Sequence, residues 1–278
     1  MAHPLLRHYA KRSLRWIVPY DIWLHLQLWA LRRRNKRRSL VPNEDRFATT
    51  ELYDSLIHDL VSFGCDEAQV RDGSMPAKSL KNVVSLLERD FGASPVAGLH
   101  IGNFVGVSLT YLTLWMVNQN SASQMVSIDP NISHRGVARP MEQVLRLLDK
   151  SGLNGNSMVL TGYSLQKEVG NDGKVNAEGD DPLSDMTTEV SCEKQLQQLA
   201  ALCPGRFQFA VIDGNHDGAY FSAEVVWVNQ LLAPGGLIIV DDVSDGWVDI
   251  QKTFAGLTTQ AGFQEVFKDG RIGVMRKS

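Results

Sequence analysis

Hydrophobic positions recur at helical spacing up to residue 92 and fall into short unbroken runs beyond it. "TTELYDSLIHDLVSFG" (49–64) and "AKSLKNVVSLLERDFG" (77–92) place apolar residues three and four apart, and each ends on a glycine, as helices commonly do. After Ser94-Pro95 come "VAGLHI" (96–101), "QMVSID" (124–129), "SMVLT" (157–161), "FQFAVI" (207–212) and "GLIIV" (236–240). Helix-period segments near 107–118, 139–150, 191–203 and 219–232 lie between them. Strands that are apolar on both faces, with helices between, predict a parallel sheet covered on both sides. "GFQEVF" and "RIGVMR", divided by Lys268-Asp269-Gly270, predict a closing hairpin. The expected fold is an open α/β sheet ending in that hairpin, with a helical lead-in over 46–92 and the core over 93–278.

Two stretches stand outside this pattern. Residues 1–45 read as a basic, Trp-rich helical arm in which "WIVPYDIWLHLQLWAL" (16–31) is flanked by arginines. Pro19, Asp21, His25 and Gln27 break that run, so it is neither a spanning helix nor, lacking a small-residue cleavage pattern, a secretory signal. The second is "LQKEVGNDGKVNAEGDDPLSDMTTEV" (165–190), polar and too long for an ordinary connection, hence a lid or a disordered insertion.

Charge sharpens the reading of the arm. The net charge of −3 hides ten Lys/Arg against one acid in residues 1–38, which leaves 18 basic and 30 acidic residues for the rest. Such an arm either docks on its own domain or a second subunit, or lies on an anionic membrane with Trp16, Trp23 and Trp29 at headgroup level. An organelle transit peptide has the same Arg-rich, acid-poor character. The acidic remainder argues against nucleic acid as a partner. Cys65, Cys192 and Cys203 are odd in number and form no CxxC or His-linked spacing, which fits a reducing compartment and excludes a zinc motif. A cytoplasmic protein, peripheral at a membrane if the arm binds lipid, is expected.

Candidate chemistry lies at the strand ends, because ligands of open parallel sheets sit beyond the carboxyl ends of the strands. The first run gives "HIGNFVGVS", with Gly102 and Gly106 before Ser108 enters a helix. Such a turn lets a backbone approach a ligand and offers free N–H groups to an anion, although a GxxxG is also a common packing turn. The second run ends in Asp129, suited to a ribose or simply to a turn before Pro130. The third enters "TGYS" (161–164), whose small polar residues suit a purine edge. The fourth ends at Asp213 and the fifth at Asp241-Asp242. Three carboxylates from two adjacent strand ends suit a hard divalent cation, unless one of the pair only caps the helix near 246–259.

Taken together, "GLHIGNFVGVS", "SIDP", "TGYS", "VIDGNHDGAY" and "LLAPGGLIIVDDV" resemble the class I S-adenosylmethionine-dependent methyltransferases over roughly residues 80–278. The segments are most similar to the small-molecule branch, which includes macrolide and novobiocin sugar O-methyltransferases and, more distantly, catechol O-methyltransferase. The resemblance implies a Rossmann-like, doubly wound, mostly parallel seven-stranded sheet with a C-terminal antiparallel hairpin. It implies S-adenosylmethionine (SAM) as donor and Mg²⁺ gripping the acceptor oxygen. Carried over by position, His100, Gly102, Asn103, Gly106 and Ser108 belong to the cofactor turn, Asp129 to the ribose and Ser164 to the adenine edge. Asp213 would serve both cofactor and metal, with Asp241 and Asp242 completing the metal site.

Two departures bear on activity. His100 stands where the family usually carries an acid that supports the cofactor's amino group. Asn215 stands where sugar-modifying members carry a second acid, a proposed base. His216 is then the candidate catalytic base, since an imidazole titrates near neutral pH; it could equally pack over the adenine or orient Asp213. The expected activity is metal-assisted O-methylation of a small hydroxylated acceptor, a sugar on a glycan or glycolipid precursor favoured and a phenol permitted. Trp247 and the 165–190 loop would wall the acceptor pocket. A silent scaffold with the same fold is the alternative that His100 and Asn215 favour. A nicotinamide enzyme is disfavoured by the absence of GxGxxG.

Overall fold

The structure, a computed structural model, describes residues 50–165, 195–244, 246–259 and 262–278. The readings made for residues 1–45 and for 166–190 lie outside the described residues. Helices α1 (Thr50–Ser62), α2 (Glu67–Asp72) and α3 (Ala77–Phe91) precede an alternating series: β1 (Ala97–Ile101), α4 (Val107–Gln119), β2 (Gln124–Asp129), α5 (Pro140–Lys150), β3 (Ser157–Thr161), α6 (Gln195–Leu202), β4 (Phe207–Ile212), α7 (Gly218–Leu231), β5 (Leu232–Val240) and α8 (Val248–Thr259). Strands β6 (Phe263–Lys268) and β7 (Gly273–Lys277) close the chain.

The seven strands form one sheet in the order β3-β2-β1-β4-β5-β7-β6, parallel from β3 to β5 and antiparallel at β7 and β6. This is the Rossmann-like, doubly wound sheet with a C-terminal hairpin that the apolar runs and the resemblance led us to expect. The strand order reverses between β1 and β4, where an open sheet leaves a crevice at its carboxyl edge.

Alternation along the strands feeds two apolar layers. Phe209, Val211, Leu237 and Ile239 pack with Leu80 and Leu87 of α3, Leu112 and Trp115 of α4, and Leu147 of α5. Ala210, Ile212, Ile238 and Val240 pack with Leu199 of α6, Phe221 and Val225 of α7, and Phe254 of α8. Helix α4 is buried nearly all round, because it lies under α1 and α3 as well as on the sheet. That explains why its sequence shows little amphipathic rhythm.

One element boundary differs from expectation. The segment Ala233-Pro234-Gly235-Gly236 reads as a turn, yet β5 starts at Leu232, which pairs with Phe207. The register then shifts before Phe209 pairs with Leu237, so the Pro-Gly-Gly segment forms a bulge within the strand. No helix among the described residues is long and apolar enough to cross a membrane.

Candidate active site

Register brings the chemistry to one level. Ile101 pairs with both Ile128 and Ile212, and Ile212 pairs with Val240. The residues that follow, Gly102, Asp129, Asp213 and Asp241, therefore leave four adjacent strands side by side at the carboxyl edge, next to the switch point.

The turn after β1 is built around close backbone contacts. Gly102, at φ +77°, packs so tightly on the β4 end that a Cβ would lie 1.8 Å from the Asp213 carbonyl oxygen. Gly106 adopts φ +89° as the first cap of α4. Asp129 accepts the Asn103 N–H at 2.6 Å and the Phe104 N–H at 3.2 Å on one oxygen, and the Asn131 N–H at 2.5 Å on the other. Burial raises its pKa, and those three N–H groups offset the rise in part. The Asn103 side chain is buried, donates to Ser127 Oγ at 2.9 Å and leaves its amide oxygen without a partner.

His100 lies wholly beneath this turn, with Nε2 3.0 Å from Ser108 Oγ. Burial drives its pKa down to about 3, against a smaller opposing contribution from the Gly102 backbone. The ring is therefore neutral and does not reproduce the charge of an acid at this position. Asn215 has a local role: its side-chain oxygen accepts the Asp217 N–H at 2.8 Å, and Asp217 in turn caps α7 by accepting the Tyr220 N–H.

Ser164 reaches the same edge but is already engaged. Its hydroxyl donates to Glu224 of α7 and lies 3.1 Å from the Tyr220 hydroxyl, which accepts the Leu165 N–H at 3.2 Å. Glu224 is fully buried, and burial raises its carboxyl to about 8, with the Ser164 bond opposing. Tyr220 is likewise pushed up to about 12 by burial and by Glu224.

The acid cluster is arranged differently from the expected Asp213, Asp241, Asp242 trio. Asp241 is grasped by Arg271, which donates Nε to one carboxylate oxygen at 2.8 Å and Nη2 to the other at 2.7 Å. Asp242 follows at φ +60°, a left-handed conformation. One of its oxygens lies 2.9 Å from His216 Nε2 and the other 3.3 Å from Arg271 Nε. The His216 ring stacks on Trp247 with centroids 3.9 Å apart and planes 16° from parallel. Single donor atoms of Asp213, His216 and Asp242 lie within 4.8 Å of one another, so the group that could hold a cation contains His216 in place of Asp241.

The electrostatics follow from that arrangement. Desolvation, with Asp241 and Asp242 behind it, raises Asp213 well above the usual carboxylate range. Burial raises Asp241, and the hydrogen bonds from Arg271 counter it. Burial works against the Arg271 charge, but Asp241 first, then Asp242 and Asp213, hold its guanidinium above its ordinary value.

Arg271, Glu224 and Tyr220 are the site residues that sequence reasoning missed. Arg271 sits in the hairpin turn, where Lys-Asp-Gly-Arg signals only a reversal. Glu224 did leave a signal, a single acid among the apolar residues of "AYFSAEVVWVNQLL".

A family model described as a methyltransferase domain matches residues 99–243, just over half of the chain. Among solved structures the chain is similar to an O-methyltransferase from Bacillus cereus in complex with SAH, at 15% identity and a TM-score of 0.54, covering 84% of this chain and 92% of that one. It is similar to the O-methyltransferase TomG from Streptomyces achromogenes, in complex with SAM, at 14% identity and a TM-score of 0.53, with 84% and 92% covered. The SAH-bound methyltransferase PaMTH1 from Podospora anserina matches at 13% identity and a TM-score of 0.54, with 87% and 99% covered. At these identities the likeness is one of fold. No curated protein matches the sequence.

Proposed function

The chain belongs to the methyltransferase-domain family, and on that premise we propose that it methylates a hydroxyl of a small acceptor, with SAM as donor and His216 as base. The observation that carries this reading is the His216–Asp242 contact of 2.9 Å, with the imidazole stacked on Trp247, at the strand ends that also present the glycine turn and Asp129. A carboxylate that accepts one ring N–H sets the tautomer and leaves the other nitrogen as the proton acceptor. Here Nε2–H faces Asp242, so Nδ1 carries the lone pair. Asn215 has no part in proton transfer, since an amide takes no proton and its oxygen serves the turn before α7.

The residues at the crevice fit a nucleoside cofactor. The positive-φ glycines open the turn, the unpartnered Asn103 oxygen lies buried within it, and Asp129 stands at the end of β2. When bound, SAM supplies a methyl already activated on a sulfonium, so the protein need only align and deprotonate the attacking oxygen. In this reading Asp129 accepts the ribose hydroxyls through its remaining lone pairs. Ser164, its own hydrogen directed to Glu224, accepts from the adenine amino group. Gly102, Asn103 and Gly106 border the methionine part. The neutral His100 braces Ser108 and leaves the cofactor's amino group without a counter-charge, which weakens donor binding.

The expected metal set does not fit in the same way. Both oxygens of Asp241 are held by Arg271, and Asp242 is divided between His216 and Arg271. Of these three acids, Asp213 alone has no side-chain hydrogen-bond partner among the described residues, and no step here is routed through a metal. For the acceptor, the resemblance to sugar-modifying members and the Trp247 platform favour a sugar ring, whose C–H face stacks on an aromatic. The ten basic residues within 1–38 favour an acceptor presented at an anionic membrane surface.

The test is calorimetric titration of SAM into the full chain and into Asp129→Ala, followed by labelled-methyl transfer to panels of sugars and phenols. Binding abolished by Asp129→Ala, and transfer reduced about 10²- to 10⁴-fold by His216→Ala at unchanged SAM affinity, is expected. SAM binding without transfer to any hydroxylated acceptor would favour the scaffold reading instead.

A further inference from the structure

The geometry points to Arg271 as a built-in cation that takes the place of a divalent metal and holds Asp242 in position for His216. This inference rests on the methyltransferase reading above, and it asks what keeps a carboxylate pair ordered beside the acceptor.

Two carboxylates on consecutive residues repel each other and need a counter-charge. A hard divalent ion would supply it through oxygen ligands. In this chain a guanidinium does so. Its Nε and Nη2 fork onto Asp241, whose side chain is completely shut off from solvent, and Nε also faces Asp242 at 3.3 Å. A planar fork matched to one carboxylate is the strongest of the charge-assisted hydrogen bonds.

The backbone secures the arrangement from both sides. The Arg271 and Ile272 N–H groups donate to Asp269 at 2.8 and 2.6 Å, which closes the β6–β7 turn. The Arg271 carbonyl accepts the Val243 N–H at 2.7 Å, which ties that turn to the segment carrying Asp241 and Asp242. The guanidinium therefore arrives from a fixed hairpin rather than from a swinging side chain.

Asp242 pays a conformational cost to complete the chain of contacts. At φ +60° it adopts a conformation that non-glycine residues rarely hold without compensation. In that conformation its carboxylate meets His216 Nε2 with one oxygen and Arg271 Nε with the other. The order Asp241, Arg271, Asp242, His216, Trp247 is then continuous, each group oriented by the one before it. Arg271 touches neither imidazole nor acceptor in this chain of contacts, so it is a positioning residue.

The experiment uses Mn²⁺ as probe, titrated into the purified full chain and followed by electron paramagnetic resonance and by thermal unfolding. Wild type should take up no Mn²⁺ in a saturable manner, show no Mn²⁺-dependent rise in melting temperature, and transfer methyl equally well with EDTA. Arg271→Gln removes the counter-charge from the acid cluster and should gain one saturable Mn²⁺ site at Asp213, His216 and Asp242, with a melting temperature that rises on Mn²⁺ addition. Asp242→Asn added to Arg271→Gln should remove that site again. Arg271→Lys, which keeps the charge, should not gain it.

Saturable Mn²⁺ binding by wild type, lost in Asp242→Asn, would overturn the inference whatever Arg271→Gln does, and would give the site to a metal. Failure of a folded Arg271→Gln to gain Mn²⁺ would overturn it too, reducing Arg271 to an ordinary ion pair. If Arg271→Gln does not fold, the wild-type titration and the EDTA comparison decide the question. Loss of SAM binding in calorimetry would count against the methyltransferase reading and is measured independently of Mn²⁺.

Discussion

A methyl group at position 102 would lie 1.8 Å from the carbonyl oxygen of Asp213, on a backbone already at φ +77°. Gly106 is positive in φ as well, but a Cβ there would meet Val144 at 3.2 Å, a contact a side chain can relieve. Gly102→Ala is therefore expected to cost more than about 2 kcal/mol and to displace the Asp213 segment, while Gly106→Ala costs about 1–2 kcal/mol, mostly from strain. Urea unfolding of both variants checks the order, and equal costs would refute the close-approach argument. Glu224 provides a second test at this scale. Burial raises its carboxyl from the ordinary 4.5 to about 8. Between those values the folded chain keeps a proton that the unfolded chain has released, so stability falls as pH rises and levels off above the folded value. The contribution is up to about 1.4 kcal/mol per pH unit. Asp213 and Asp241 are raised too and add slope of the same sign, so the informative quantity is the difference between proteins. Unfolding free energies measured at about pH 5 and about pH 8 should differ less in Glu224→Gln than in wild type, because the amide does not titrate.

Helix α7 connects the residue scale to the site, since it begins directly after the turn that carries His216. Asp217 caps it with a bond from its carboxylate to the Tyr220 N–H at 2.8 Å. Removing that cap in Asp217→Ala should cost about 1 kcal/mol. It should also lower methyl transfer while sparing SAM affinity, because it loosens the turn under His216 and leaves the β1 turn and Asp129 untouched. Parallel thermal melts and kinetics would check this, and an equal loss of SAM affinity would contradict it. Elements of this kind were legible in the sequence because their signals are local. Five apolar runs, ending in or directly followed by Gly102, Asp129, Thr161, Asp213 and Asp241, announced a parallel sheet and its carboxyl edge. The start of β5 was illegible because Pro234-Gly235-Gly236 has turn chemistry, and only pairing of Leu232 with Phe207 draws it into the strand. Arg271 was illegible for a related reason. Its partner lies 30 positions away, and the choice of Asp241 follows from the antiparallel seating of β7 on β5, which local pattern does not encode. The parallel pairing of β4 with β5 and the conformation after each strand end bring His216 beside Asp213 and Asp242, where Asp213, Asp241 and Asp242 had been expected.

At the scale of the whole molecule, the crevice is assembled from segments far apart in sequence: the β1 turn, the β2 end, the β3 exit with Ser164, and the β4 and β5 ends. Their mutual contacts exist only in the folded sheet, and the unfolded chain has no comparable site. A ligand that binds only the folded state stabilises it by mass action, about 2.7 kcal/mol at a hundredfold excess over its Kd. Saturating SAM should accordingly raise the melting temperature of the full chain, and the rise should grow with SAM concentration. Asp129→Asn removes the charge that accepts the Asn103 and Asn131 N–H groups and should abolish most of that rise. Arg271→Lys should preserve it, because Arg271 contacts Asp241 and Asp242, on the side of the crevice proposed for the acceptor, and not the β1 turn. The paired result separates donor binding from acceptor-side organisation within one fold. A SAM-dependent rise lost equally in both variants would mean that the two halves of the crevice form as a single unit. A rise retained in Asp129→Asn would mean that the β2 acid serves the turn alone and that the donor is held elsewhere along the strand ends.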